Sequence, residues 1–252
     1  MSQPQIIQSH DPGYHNSDLA ASSLRVIEGG TWKKQRVVMI VPSARMIPAR
    51  VYMSHCSLIF PPNQGVHRTL ALGCEVGDAY ERAFSEIIDN PQHPCHDWEF
   101  FLTVEADNAP PQDAVLKLIK YMENNPQFSA ISGLYWCKGY PGPTGGAAHI
   151  WGQIDDPVVN YRSQPPRPGE LVECYGLSMG ITLYRLSMFK DKRLQRPWFK
   201  TLDGSEGTGI GTQDLRFWSD ARKYGHRCAV ACDVLTGHWD EEGKFGPAQM
   251  MW

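Results

Sequence analysis

Residues 98–122, WEFFLTVEADNAPPQDAVLKLIKYM, decide how this chain is built. Trp98 through Val104 form a short run rich in aromatic and β-branched side chains, which reads as a strand buried on both faces. Glu105-Ala106-Asp107-Asn108 ends the run and Pro110-Pro111 breaks it. A helix is expected next, with Val115, Leu116, Ile119 and Met122 on one face and Asn124-Asn125-Pro126 as its stop.

Working outward, residues 36–41 (RVVMIV) are a second apolar run, halted by Pro42-Ser43. Residues 78–89 set Ala79, Ala83, Phe84, Ile87 and Ile88 on one helical stripe, and Pro91 ends it. Downstream, residues 129–136, 180–185 and 228–234 read as strands and residues 215–224 as a helix. Residues 138–170 are rich in Gly and Pro without a sustained period, as in a lid or substrate loop. Residues 1–34, with Pro4, Pro12, Gly13 and Gly29-Gly30, read as an N-terminal arm, leaving 35–252 as one domain. Strands alternating with helices predict an α/β domain with a mostly parallel central sheet, and its ligand beyond the carboxyl ends of the strands. Three polar clusters fall at such ends: Pro42-Ser43-Ala44-Arg45, Glu105-Ala106-Asp107 and Gly237-His238.

The composition suits one globular domain. The 252 residues carry 24 Lys+Arg against 27 Asp+Glu, a net charge of −3, with 42% hydrophobic residues. That balance excludes a disordered chain and weighs against a nucleic-acid-coating role. No apolar run approaches the roughly 20 residues of a membrane span, and no secretory signal is visible. Seven cysteines, an odd number with no CxxC pair, indicate neither a disulfide framework nor a zinc ribbon, so a reducing, cytoplasmic setting is expected. His93, Cys95 and His96 form one dense group of soft ligands in a Pro-rich stretch, where a plain surface loop outweighs a zinc site because no second ligand pair sits at finger-like spacing.

The rim clusters suggest chemistry. Two carboxylates two residues apart, just past a strand, suit Mg2+ or Mn2+ with open positions for phosphate oxygens. Helix capping by Asp107 or Asn108 competes with that reading. Neutral His238 can ligate Mn2+, and gains weight only if it shares the rim with Asp107. Asp214 opens a helix whose dipole favours its ionised form; such a carboxylate either stabilises the helix or accepts a proton from a hydroxyl nucleophile. Gly204, Gly207, Gly209 and Gly211 before it suggest a closing flap. Trp136, Tyr140, Trp151, Trp198 and Phe199 are core residues or stack on sugars, with Trp198-Phe199 the best candidate for an acceptor wall.

Four blocks in order resemble the GT-A glycosyltransferases, particularly the family-2-like branch, across residues 36–240: VMIVP ending at Pro42, FFLTVEADNAPPQDAVLKLIKYM, GLSMGITLYRLSMF and GTQDLRFWSDARKYGHRCAVACDVLTGH. The resemblance implies a nucleotide-diphosphate sugar as donor, a hydroxyl-bearing acceptor and Mn2+ or Mg2+. It matches Asp107 to the DxD aspartate and Glu105 to the first acidic position, where Asp is usual, as a metal or ribose contact. It matches His238 to the late metal ligand and Asp214 to the catalytic base, with Gln213 where Glu is common. Pro42 and Ser43 fall where base and ribose are held, Arg45 is placed beside the nucleotide, and Gly180 lies in the segment shaping the sugar and acceptor pocket. A second strand is expected near residues 50–59, where the family's usual acidic motif is missing. A base at Asp214 implies inversion at the anomeric carbon.

Two other functions fit the same pattern. Nucleotidyl transfer also uses carboxylates and Mg2+, but would favour a Gly-rich loop after the first strand, and Ser43 to Pro48 holds no glycine. A non-catalytic nucleotide-sugar-binding module would not need Asp107, Asp214 and His238 together. A nucleic-acid acceptor would draw on the basic strip Arg185, Lys190, Lys192, Arg193 and Arg196, which otherwise reads as a solvated helix end.

Overall fold

The computed structural model describes residues 5–11, 34–43, 46–137, 146–156, 160–201 and 212–239. In chain order these form β1 (Gln5–Asp11), β2 (Val37–Ser43), α1 (Ala49–Ser57), β3 (Val66–Leu72), α2 (Val76–Ile88), β4 (Phe100–Val104), β5 (Asn108–Ala109), α3 (Ala114–Asn124), β6 (Ala130–Leu134), β7 (Trp136–Cys137), β8 (Ala147–Ala148), β9 (Leu171–Cys174), β10 (Ile181–Arg185), α4 (Gln213–Ala221), β11 (Cys228–Leu235) and β12 (Gly237–His238).

Eight strands make one sheet in the order β1-β3-β2-β4-β10-β6-β11-β9. Side chains alternate across it because strand periodicity is two. Phe101 turns to one face with Val38, Ile40, Phe84 and Phe217, whereas Phe100, Leu102 and Val104 turn to the other with Val115, Leu118 and Met122. Both faces are covered, α2 and α4 on one side and α3 on the other, which is why β2 and β4 are mostly apolar and buried throughout. Burying a ring such as that of Phe84, fully inaccessible here, contributes about 1.5–3 kcal/mol.

Four findings revise the expectations. The sheet is mixed, not mostly parallel: β2–β3, β2–β4 and β6–β11 are parallel, while β1–β3, β4–β10, β6–β10 and β9–β11 are antiparallel. No helix forms among the described residues between β6 and β10, so β10 returns without the crossover that parallel pairing needs. The second strand is Val66–Leu72, and the stretch where it was expected is α1, with Val51 and His55 buried one helical turn apart. Within the arm, Gln5–Asp11 adds an edge strand to the sheet. In α3, Leu116 is exposed and Leu118 takes its place in the core.

The reversal of β10 has a functional result. The carboxyl ends of β2, β4, β6 and β11 share one rim, and the start of β10 joins it, bringing Ser178 and Gly180 beside them. No helix among the described residues is long and apolar enough to cross a membrane.

Candidate functional site

After β4 the chain makes a tight turn, with Asn108 N–H donating to Glu105 O at 3.1 Å. Gly180 O accepts from Glu105 N–H at 3.1 Å, holding the turn against β10. The turn leads into β5, which pairs with β12 so that Asn108 faces His238. Trp239 N–H donates to Asp107 O at 2.7 Å and closes this two-stranded clip. From below, His55 Nε2 hydrogen bonds Asn108 O at 2.8 Å and the Ser54 hydroxyl donates to Pro110 O at 2.6 Å.

The clip sets His238 Nε2 3.4 Å from Asp107 Oδ2. On the other side of the ring, His238 Nδ1 lies 2.6 Å from Trp136 O. A carbonyl only accepts, so Nδ1 carries a proton and Nε2 presents its lone pair, or a second proton, to Asp107. The His238 side chain is 15% exposed and that of Asp107 49%, so the pair opens to solvent on the Asp107 side.

Around this pair lies an aromatic and polar wall. Tyr135 stacks on His149 at 4.2 Å and meets the His238 ring edge-on at 5.6 Å. Ser178 Oγ joins His149 Nδ1 at 2.7 Å to the indole N–H of Trp151 at 2.8 Å. Burial and the neighbouring His238 push the His149 imidazole down to about 3, so it stays neutral. Asp214, in the first turn of α4, is buried and accepts from Leu215 N–H at 2.8 Å.

Charge is crowded here. Burial, then the nearby Asp107 and Asp214 carboxylates, push Glu105 well above the usual carboxylate range. Burial also raises Asp214, against the hydroxyls of Thr212 and Ser178 and the Leu215 N–H, which pull it back. Burial thus acts against the ionised form that the helix dipole favours, and a raised pKa makes the ionised carboxylate more basic. Buried polar atoms lacking a partner among the described residues also gather on the rim, namely Ser43 Oγ, Asn108 Oδ1, His149 Nε2 and Thr236 Oγ1. Such atoms mark a place where a polar ligand or water belongs.

No family model matches the sequence, and no curated protein does. Among solved structures, A197 from STIV superposes with a TM-score of 0.57 at 14% identity, over 84% of this chain and 93% of that one. GalNAc-T7, crystallised with UDP, GalNAc and Mn2+, superposes with a TM-score of 0.54 at 9% identity, over 82% of this chain and 44% of that one. The likeness is one of fold. The chain has a mixed α/β fold like that of these neighbours, and it spans under half of the GalNAc-T7 chain.

On that fold the expected site residues divide. Asp107 and His238 meet, Glu105 and Asp214 share their electrostatic field, and Pro42, Ser43 and Gly180 line the same rim. Gln213 is buried beside Asp214 at the start of α4. Glu105 does not join Asp107 and His238 in a three-ligand cluster; among the described residues such a cluster forms only elsewhere. Trp198 and Phe199 are not an acceptor wall. At 4% and 1% exposure they belong to the core, against Phe189 and Phe84, because Glu81 accepts from Trp198 N–H at 2.7 Å and draws the segment onto α2. Four of the five residues of the basic strip are engaged within the protein: Arg185 bonds the carbonyls of Met122 and Phe128, Lys190 pairs with Asp97, Arg193 with Asp191 and Arg196 with Asp89. Arg45, Tyr140 and the glycines at 204–211 lie outside the described residues. Tyr135, His149 and Ser178 were missed. His149 lies in the Gly/Pro-rich stretch already suspected of touching substrate, and Ser178 is two residues before Gly180.

Proposed function

We propose that the protein transfers a sugar from a nucleotide-diphosphate sugar to a hydroxyl acceptor, with Mn2+ or Mg2+ as cofactor. One observation carries the reading: His238 is fixed by Trp136 O with Nε2 turned to Asp107 Oδ2 at 3.4 Å. Metal-ligating histidines commonly donate their other N–H to a backbone carbonyl in this way. Neighbouring ligands of a six-coordinate ion lie about 3 Å apart when each is about 2.1 Å from the metal, so the donor set fits such an ion. Asp107 and His238 would hold it, leaving further positions for diphosphate oxygens and water. The bound ion would offset the charge that grows on the departing nucleotide diphosphate. The GT-A-like fold, and the UDP and Mn2+ bound by GalNAc-T7, support the same reading.

In this scheme Asp214 accepts the acceptor hydroxyl's proton, and burial makes it a better base. Attack from the face opposite the diphosphate inverts the anomeric carbon. Glu105, buried beside Asp107 and Asp214, contacts ribose or metal-bound water. Ser43, orphaned and buried at the end of β2, and Pro42 face the nucleoside. Nucleotidyl transfer remains the second reading, because it would use the same carboxylates.

Thermal-shift measurements with a panel of nucleotide sugars, with and without Mn2+, test the proposal, because stabilisation follows ligand affinity. A nucleotide sugar should stabilise the wild type only with Mn2+, and stabilise His238→Ala far less. Equal stabilisation of both proteins would remove the metal assignment. Pyrophosphate release from a nucleoside triphosphate and a sugar phosphate would favour the second reading.

A further inference from the structure

A second group of ligands lies at the opposite side of the sheet order, away from the rim site. β1 is the edge strand beside β3, and the register sets His10 directly opposite His67. Their Nδ1 atoms are 3.4 Å apart. Cys95, from the loop before β4, places Sγ 3.9 Å from His10 Nδ1. One donor atom from each of the three lies within 4.8 Å of the other two. His67 and Cys95 are buried, at 3% and 0% exposure, whereas His10 is exposed.

We propose that His10, His67 and Cys95 bind a zinc ion that fastens the edge strand to the body of the sheet. Tetrahedral zinc with Zn–N of about 2.0–2.1 Å and Zn–S of about 2.3 Å separates its ligands by about 3.4 Å (N to N) and about 3.6 Å (N to S). The observed 3.4 and 3.9 Å need only a small adjustment. Without a cation the arrangement is underused: one imidazole Nδ1 can donate to the other, the thiol is only a weak donor, and His67 Nε2 has no partner among the described residues. An imidazole–thiolate set suits zinc, and carboxylate-preferring Mg2+ or Mn2+ much less.

His93 supports the site and does not ligate. Its Nδ1 accepts from Cys95 N–H at 3.1 Å, which fixes the loop and leaves the proton on Nε2. Its ring meets His67 edge-on at 5.5 Å, and Trp98 covers His10 at the same distance. With three protein ligands, the fourth position falls to water on the exposed His10 side. The Cys95 thiol proton would leave to solvent as the thiolate–zinc bond forms. The ligands come from three separate segments, so zinc would tie β1, β3 and the loop before β4 together. His96, the third member of the sequence cluster, points elsewhere, with Nδ1 bonded to Ile87 O at 3.0 Å.

The test is elemental analysis of the purified full chain, followed by Co2+ exchange. About one zinc per chain is expected, together with a thiolate-to-cobalt charge-transfer band. Cys95→Ser should lose the band and His10→Asn should weaken zinc retention. His10 is exposed, so its loss leaves the core intact. Asp107→Ala and His238→Ala should keep both zinc and band, which separates this site from the rim. Absence of zinc with no cobalt–thiolate band, or an unchanged band in Cys95→Ser, would overturn the proposal.

Discussion

Gly180 and Tyr135 meet with no room for a side chain between them. Gly180 N–H donates to the Tyr135 hydroxyl at 2.9 Å, and a β-carbon on Gly180 would sit 2.5 Å from Tyr135 Cζ. The same glycine accepts from Glu105 N–H, so the contact fixes both the aromatic wall and the acidic turn. Gly180→Ala should cost about 1–3 kcal/mol through overpacking, a fall in Tm of about 2–4 °C per kcal/mol for a chain of this size. Donor affinity should fall with it. Scanning calorimetry and donor titration would check this, and an unchanged Tm would mean that the backbone yields freely.

Removing either member of the Asp107–His238 pair should weaken Mn2+ binding by at least about 10–100-fold, the loss typical even for groups one step removed from a metal. Transfer should fall to background. Paramagnetic relaxation of water protons by Mn2+ reads the affinity directly, and wild-type binding by either variant would contradict the assignment.

Asp214→Asn should retain donor binding while kcat falls about 100–10,000-fold, the range for a lost general base. Donor affinity that collapses with normal turnover would make Asp214 a binding group.

Ser178→Ala removes a hydroxyl that stabilises ionised Asp214. Its pKa should therefore rise further. Because a base works only when ionised, the acidic limb of the pH–rate profile should shift to higher pH. A profile that does not move would disconnect Ser178 from Asp214.

Asp191 offers a test of stability independent of the site. Arg193, first, and His226 hold its carboxyl well below the usual range. Its folded pKa is depressed, so its contribution is present above the ordinary carboxylate pKa of about 3.9 and is lost as pH falls through the folded value. Asp191→Asn should be less stable than wild type at pH 7, with the gap closing below about pH 4. Denaturant titrations at pH 7 and at about pH 2, well below the ordinary carboxylate value, would show it, and a constant gap would mean that the contribution is not electrostatic.

Much of this architecture is legible in the sequence because β2 and β4 are buried on both faces and leave no competing pattern. The second strand hid for the opposite reason. VHRTLAL carries His67 and Arg68 near its start, whereas the helix Ala49–Ser57 lies where the family resemblance placed a strand, and its exposed Tyr52 and Met53 blur the helical stripe. The meeting of Asp107 and His238 was readable from their places after β4 and β11. Tyr135, His149 and Ser178 were not, because each gains its role only when an antiparallel strand returns to the rim, and no local pattern announces that reversal. Trp198 and Phe199 misled because an aromatic pair beside Pro197 looks the same whether it lines a groove or fills a core.

The β5–β12 clip has a consequence for biosynthesis. The backbone bonds that close the clip over the Asp107 turn come from residues close to the end of the described chain, with Trp239 donating to Asp107 itself. While the ribosome is still making the first two hundred residues, the acidic turn has no strand to pair with. Nascent chains should therefore gain Mn2+ affinity only once Trp239 has cleared the exit tunnel, long after the β2–β3–β4 ladder can assemble.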